Sequence, residues 1–227
     1  MKFNMISRDK IYEVSSINSK LEATLIKSEY LNYIKISNFL RYPEEFINVF
    51  SQYPALTGPS YVTIPGARQN FTPIELKNIL LAYQVILGKF DIKTDPRQWI
   101  SSTNIMWDGM LCQKGSNKPH CDVYGMVANL WLSNHKGGTA FYKFRGKFKE
   151  SDLSEDEYKI YLHTQKGTEK WYNFEGDSNW EKYHLIPTEY NTVYIYDGGF
   201  FHSPYPELTN EYRYSLTSFY HQNLQFT

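Results

Sequence analysis

Residues 119–142 read PHCDVYGMVANLWLSNHKGGTAFY. Polar and apolar residues alternate here or run as short β-branched and aromatic blocks, and Gly137-Gly138 interrupts them. A period of two belongs to a strand, whose side chains point to opposite faces in turn. The stretch therefore predicts strands at 119–123, 125–133 and 138–142. The same pattern returns at 102–107, 192–197, 200–203 and 212–220, with Gly198-Gly199 as another break. Many short strands separated by Gly and Asn predict an α+β fold, mainly β: an antiparallel sandwich or barrel of the jelly-roll kind.

N-terminal to this region, strand and helix signals mix. Residues 33–40 (YIKISNFL) read as a strand, and Pro43 opens a short helix through Ser51. A longer helix is expected over 72–88, with Thr72 as N-cap, Pro73 at the first helical position, Glu75 closing a capping box and Gly88 ending it. Its apolar residues, Ile74, Leu80, Leu81, Ile86 and Leu87 among them, cover more than one face, which predicts burial. A second capping box, Ser154 to Glu157, predicts a helix over 151–163.

At 227 residues the chain suits one domain, with 1–99 supporting the strand-rich region at 100–220. Aromatic residues reach 17%, including 20 Tyr and 14 Phe, which favours packed strands. Lys plus Arg equals Asp plus Glu at 24 each, so no net field attracts a phosphate backbone and general nucleic-acid binding is not expected. The basic run KFRGKFK at 143–149 reads as a solvated edge or loop. No apolar run is long enough to span a membrane, and the N-terminus lacks a secretory h-region. Two cysteines, Cys112 and Cys121, make no disulfide framework, so reduced thiols in a cytoplasm are expected. Oligomeric state is not legible.

On a strand at 119–123, His120 and Asp122 share a face while Cys121 points away. Two ligands at i and i+2 can occupy adjacent corners of a metal, and His202, in GGFFHSP, can supply a third from another strand. Two His and one carboxylate on one face of an octahedron leave three positions open, the facial triad of non-haem iron(II) oxygenases. Arg213 and Ser215 lie two apart on the predicted strand YRYSLTSFY, so they share a face and can grip one carboxylate.

H-x-D (120–122), GGTAFY (137–142), a distal His202 and R-x-S (213–215) together resemble the 2-oxoglutarate-dependent oxygenases of the prolyl-4-hydroxylase-like group. The likeness spans about residues 100–220 and is nearest to a bacterial and phage branch that shares PGAR (65–68), PH-x-D and the final R-x-S strand. It implies a double-stranded β-helix, a cupin-like barrel with Fe(II) at one end held by His120, Asp122 and His202. Arg213 and Ser215 would bind the far carboxylate of 2-oxoglutarate. The implied reaction consumes O2 and hydroxylates a C–H bond of an amino-acid, peptidyl or other small-molecule substrate, releasing succinate and CO2. Asp122 argues against the halogenating branch, which needs that coordination position vacant. The spacing from His202 to Arg213 is long for the group and calls for a bulge or longer turn near 207–210.

Candidate substrate residues are Asn129, Trp131 and Tyr142 in the strands, with Arg68 and Arg145 as possible anchors. The remaining histidines, at 135, 163, 184 and 221, read as surface or structural. The connection 143–188 carries Trp171, Tyr172, Trp180 and Tyr183, and reads either as a lid over the metal or as packing against the barrel's outside. Two other functions fit the same residues. A metal-binding cupin that is not an oxygenase, such as an isomerase, needs the triad without Arg213 and Ser215. A non-catalytic β-barrel binding protein needs neither.

Overall fold

Every residue of the run 126–131 is buried, as are all but the last of 192–197, so both faces of these strands must be covered. The computed structural model shows how. It describes residues 8–29, 31–51, 67–107, 119–122, 125–134, 136–144, 180–206 and 212–221. In chain order these form α1 (Arg8–Val14), β1 (Glu22–Ile26), β2 (Tyr33–Ser37), α2 (Pro43–Phe50), β3 (Ala67–Phe71) and α3 (Lys77–Gly88). Then come β4 (Ile100–Trp107), β5 (Met126–Trp131), β6 (Gly137–Phe144), β7 (Trp180–Pro187), β8 (Thr192–Asp197), β9 (His202–Pro206) and β10 (Tyr212–Tyr220).

The strands make two sheets in which every paired neighbour is antiparallel. The larger has the order β1-β2-β8-β5-β10-β4-β3, and the smaller has the order β7-β6-β9. Alternation sends Ile34, Ile36, Ala128, Leu130, Val193, Ile195 and Leu216 to the face that packs on the helices. There they meet Phe46 of α2 and Ile79, Leu80, Tyr83 and Leu87 of α3. The opposite face carries Tyr33, Val127, Trp131, Tyr194 and Tyr196, which pack on Phe141 and Ile186 of the smaller sheet. The larger sheet is therefore a middle layer. Burying each aliphatic side chain in it contributes roughly 1.5–3 kcal/mol.

Asn191 ties the start of β8 to β5 and to the chain between β2 and α2. Its backbone sits at φ 53°, a left-handed conformation that Asn tolerates better than most residues. Its side-chain Oδ1 accepts from the Leu40 N–H at 2.8 Å, and its Nδ2 donates to the Leu40 carbonyl at 2.8 Å. The Asn191 N–H donates to Trp131 of β5, and the Asn191 carbonyl accepts from Phe39.

Several expectations need correction. Of the strand expected at 119–123, the described residues 119–122 hold an isolated bridge, His120 against His202, instead of a regular strand. The strand expected over 33–40 stops at Ser37, where Asn38 turns to φ 54°. The strand expected at 200–203 starts two residues later and runs to Pro206. The Thr72–Glu75 box does form, with the Glu75 carboxylate accepting from the Thr72 N–H at 2.7 Å. It closes a turn, however, and α3 begins only at Lys77. Ile74, at 71% exposure, and Leu81, at 38%, are not buried. The end of the 143–188 connection is β7, in which Trp180 packs edge-on against Phe201 at 5.0 Å between ring centroids and Tyr183 leans on the inter-sheet core. Trp171, Tyr172, Arg145 and the helix expected over 151–163 lie outside the described residues.

Replacing Asn191 by Ala removes both side-chain bonds and leaves at positive φ a residue without the short polar side chain that makes Asn tolerant there. Asn191→Ala should lose about 2–4 kcal/mol of unfolding free energy in urea titration. Asn191→Gly tolerates the φ and should lose less. Equal losses in the two variants would refute the backbone part of this account.

Candidate metal centre

Backbone hydrogen bonds bring the three predicted ligands together. The His120 N–H donates to the His202 carbonyl and the His202 N–H to the His120 carbonyl, each at 2.9 Å. Two residues on, the Asp122 N–H donates to the Gly198 carbonyl at 2.9 Å. Gly198 in turn donates to Gly125 at 3.1 Å, where the chain enters β5. The H-x-D segment is thus pinned to both ends of the turn between β8 and β9.

Cys121 faces the other way. It is buried with Ala140, Tyr142 and Phe201. His120 and Asp122 share the side that meets His202, so the expected same-face geometry holds without a regular strand. Asp122 Oδ2 lies 3.1 Å from His202 Nε2, and Oδ1 lies 4.0 Å from His120 Nε2. One ligand atom from each residue falls within 4.8 Å of the others. Adjacent ligands at bonds near 2.1 Å sit roughly 3 Å apart on an octahedral ion, so modest side-chain rotation suits this set to a metal. The His202 ring fits as well. Its Nδ1 lies 2.8 Å from the Phe200 carbonyl, which fixes the Nδ1–H tautomer and leaves the Nε2 lone pair toward Asp122. His202 and Asp122 are largely buried, whereas the His120 side chain keeps 35% exposure and marks the solvent side.

Arg213 is 2% exposed on β10. Its Nη2 donates to the Gly138 carbonyl at 3.0 Å, and its guanidinium carbon lies 4.4 Å above the Trp131 ring. Gly138 must be glycine. Its φ is +158°, and a β-carbon there would sit 1.9 Å from the Ile186 carbonyl oxygen of β7. The GG pair thus lets β7 close on β6 and turns one carbonyl to the arginine. Ser215 is buried and paired with Trp131 across β10 and β5. Register places Arg68 against Asn104, which pairs with Ser215, in the same cross-sheet row.

Asn129 is buried, and its Nδ2 donates to the Tyr196 hydroxyl at 2.8 Å. Tyr142 departs from expectation. Register shifts between Phe141 and Tyr142, and Tyr142 packs with Cys121 on the face of β6 turned from the ligands. Phe141 takes the position beside them, 6.0 Å from the His202 ring between centroids.

Sequence reading missed Tyr196. Its ring stands edge-on to His202, 5.5 Å away between centroids, and to Phe141, 5.2 Å away. Burial above all, then the Asp122 carboxylate, pushes its phenol pKa far up, so it stays protonated. Thr139, Asn129 and Arg213 also act on this group. The signal was available: Tyr196 sits two residues from Tyr194 on a clean alternating strand and six before His202.

The chain belongs to DUF6445, a family of unknown function whose model matches residues 18–215. No curated protein matches it in sequence. Among solved structures it is similar to HygX from Streptomyces hygroscopicus with nickel and 2-oxoglutarate bound, at 10% identity and a TM-score of 0.49, over 95% of this chain and 87% of that one. A Pseudomonas putida prolyl-4-hydroxylase overlaps 95% of this chain and 98% of its own, at 12% identity and a TM-score of 0.44. A Phytophthora capsici prolyl 4-hydroxylase overlaps 96% and 68%, at 9% identity and 0.43. These likenesses carry no residue role over to this chain.

If the three donors form one site, the purified protein should take up about one Mn(II) or Fe(II) per chain. His120→Ala and His202→Ala should each abolish that uptake while the thermal melt stays cooperative. Undiminished metal content by elemental analysis in both variants would rule the site out.

Proposed function

We propose that this chain is an Fe(II)- and 2-oxoglutarate-dependent dioxygenase hydroxylating a C–H bond of an amino-acid, peptidyl or other small-molecule substrate. One observation carries the reading: two imidazoles and one carboxylate converge at one end of the space between two sheets, and a buried Arg213 lies farther along it. On this reading the sheets are the two halves of a double-stranded β-helix.

His120, Asp122 and His202 would hold the metal on one face, leaving the opposite face for co-substrates. When bound, iron supplies the activation of O2, coupled to decarboxylation of 2-oxoglutarate to succinate and CO2, with the second oxygen atom entering the substrate C–H bond. This chain's own part is to position and to exclude water. The Phe200 carbonyl keeps the His202 ring in the right tautomer. Arg213, set by the Gly138 carbonyl and the Trp131 face, offers its fork with Ser215 to the far carboxylate. Phe141, Val127 and Trp131 keep the interior dry, which strengthens every charge interaction there. Asn129 and Trp131 line the same interior, and Arg68 and Arg145 remain proposed substrate contacts.

Cys121 is buried beside Ala140, Tyr142 and Phe201, and no helix among the described residues is long and apolar enough to cross a membrane. The cytoplasm is the place of action we propose, with no nucleic-acid partner.

The Mn(II)-loaded protein should bind 2-oxoglutarate in anaerobic calorimetry, and Arg213→Leu should weaken that binding by roughly 2–5 kcal/mol while metal affinity is retained. Unaltered affinity in the variant would sink the arginine assignment and favour a metal-binding cupin that is not an oxygenase. Wild-type protein that holds the metal but ignores 2-oxoglutarate would sink the whole reading.

A further inference from the structure

The interior between the two sheets is largely aromatic and aliphatic, and Tyr196 carries a polar group within it. Gly138, which accepts from Arg213, and Phe141, which abuts His202, stand three residues apart on β6, roughly 10 Å along the strand. The Tyr196 ring packs edge-on to both Phe141 and His202, so it belongs to the metal end of that interval. Asn129 Nδ2 donates to its hydroxyl at 2.8 Å. An oxygen that accepts from β5 turns its own hydrogen away from β5, toward β6 and the space beside the ligands, where the Thr139 side chain is a competing partner. A buried phenol with a fixed hydrogen suits an anionic acceptor, because hydrogen bonds to charged groups are the strong ones.

We propose that Tyr196 donates its phenol hydrogen to the metal-chelating, 2-oxo acid end of the co-substrate, and that Asn129 positions the phenol for it. The inference rests on the oxygenase reading above and adds a division of labour. Arg213 and Ser215 select the far carboxylate, and Tyr196 selects the chelating end. Tyr196 touches the co-substrate, whereas Asn129 acts through Tyr196.

Oxalate separates the two ends, since it has a chelating end and no distant carboxylate. Binding of 2-oxoglutarate and of oxalate to Mn(II)-loaded protein is measured by calorimetry for wild type, Tyr196→Phe, Asn129→Leu, the double variant and Arg213→Leu. Tyr196→Phe keeps the ring contacts and should weaken both ligands about tenfold or more, with Mn(II) affinity unchanged. Arg213→Leu should weaken 2-oxoglutarate alone. Asn129→Leu should weaken both ligands by a smaller factor, and the double variant should be no worse than Tyr196→Phe, as expected for residues acting in series. Unchanged binding of both ligands to Tyr196→Phe overturns the proposal, and so does a loss confined to 2-oxoglutarate, which would move the phenol to the far carboxylate. If Tyr196→Phe fails to fold or to hold Mn(II), Asn129→Leu decides: a loss on both ligands supports the proposal and no loss overturns it. Wild-type protein that binds Mn(II) but neither ligand fails the oxygenase reading itself, a result distinct from any of these.

Discussion

The reciprocal backbone hydrogen bonds between His120 and His202 are the constraint on which the site depends. A side chain can leave its partner by rotating one bond, whereas two residues exchanging N–H and carbonyl groups fix the relative positions of both Cα atoms. With Asp122 pinned to Gly198 in the same way, all three ligand residues are placed by main chain. The side chains then need only two or three torsions each to converge. This explains why a segment too short to count as a strand can still present ligands at i and i+2. The turn from Asp197 to Phe201 supplies the acceptors, and its shape is set locally. Asp197 Oδ1 accepts from the Gly199 N–H at 2.7 Å, and the Phe200 carbonyl meets the His202 ring.

A carboxylate in a largely buried position is costly unless paired or hydrogen-bonded, and Asp122 stands 3.1 Å from one imidazole and 4.0 Å from another. A divalent cation between the three would satisfy the carboxylate more strongly than neutral imidazole. Arg213 sits on a ring face and a carbonyl dipole, a setting that holds its plane rigidly. Rigidity matters for recognition, since a fork already aligned loses little freedom when an anion arrives.

How far the sequence foretold this can be read residue by residue. Strands 192–197 and 212–220 were legible to the residue, because each alternates cleanly between two covered faces. So was the convergence of His120, Asp122 and His202, because a spacing of two survives even where the ladder does not. The start of α3 was not legible. A capping box states that an N–H is satisfied, and at Thr72 the satisfied group belongs to a turn. β1, β3 and β7 were missed because a strand at a sheet edge or over a small sheet has no strict apolar face, as the mixed exposure of β7 shows. Tyr142 was misread for a sharper reason. Plain alternation along GGTAFY sets Phe141 on the inner face and Ala140 and Tyr142 on the other, while the bulge beside them falls on β7 at Tyr183. Tyr196 was passed over because an aromatic residue on an alternating strand looks like core, and by burial it is.

The layered build explains why the inner face can carry so much polarity. Follow one row across the larger sheet on its helix side: Leu216, Leu130, Val193 and Ile36 are paired in turn. The adjacent row on the other side runs Thr217, Asn129, Tyr194 and Lys35. The first row could hold the sheet against α2 and α3 by itself, since fully buried aliphatic side chains contribute roughly 1.5–3 kcal/mol each. The second row contributes much less by transfer and needs partners, as Asn129 finds in Tyr196 and Lys35 in Glu189 at 2.7 Å. With the helix layer stabilising the sheet, the opposite face can hold polar residues beside its own apolar cluster. The N-terminal helices, remote from every proposed ligand, are on this argument what permits a buried arginine, amide and phenol to share one interior.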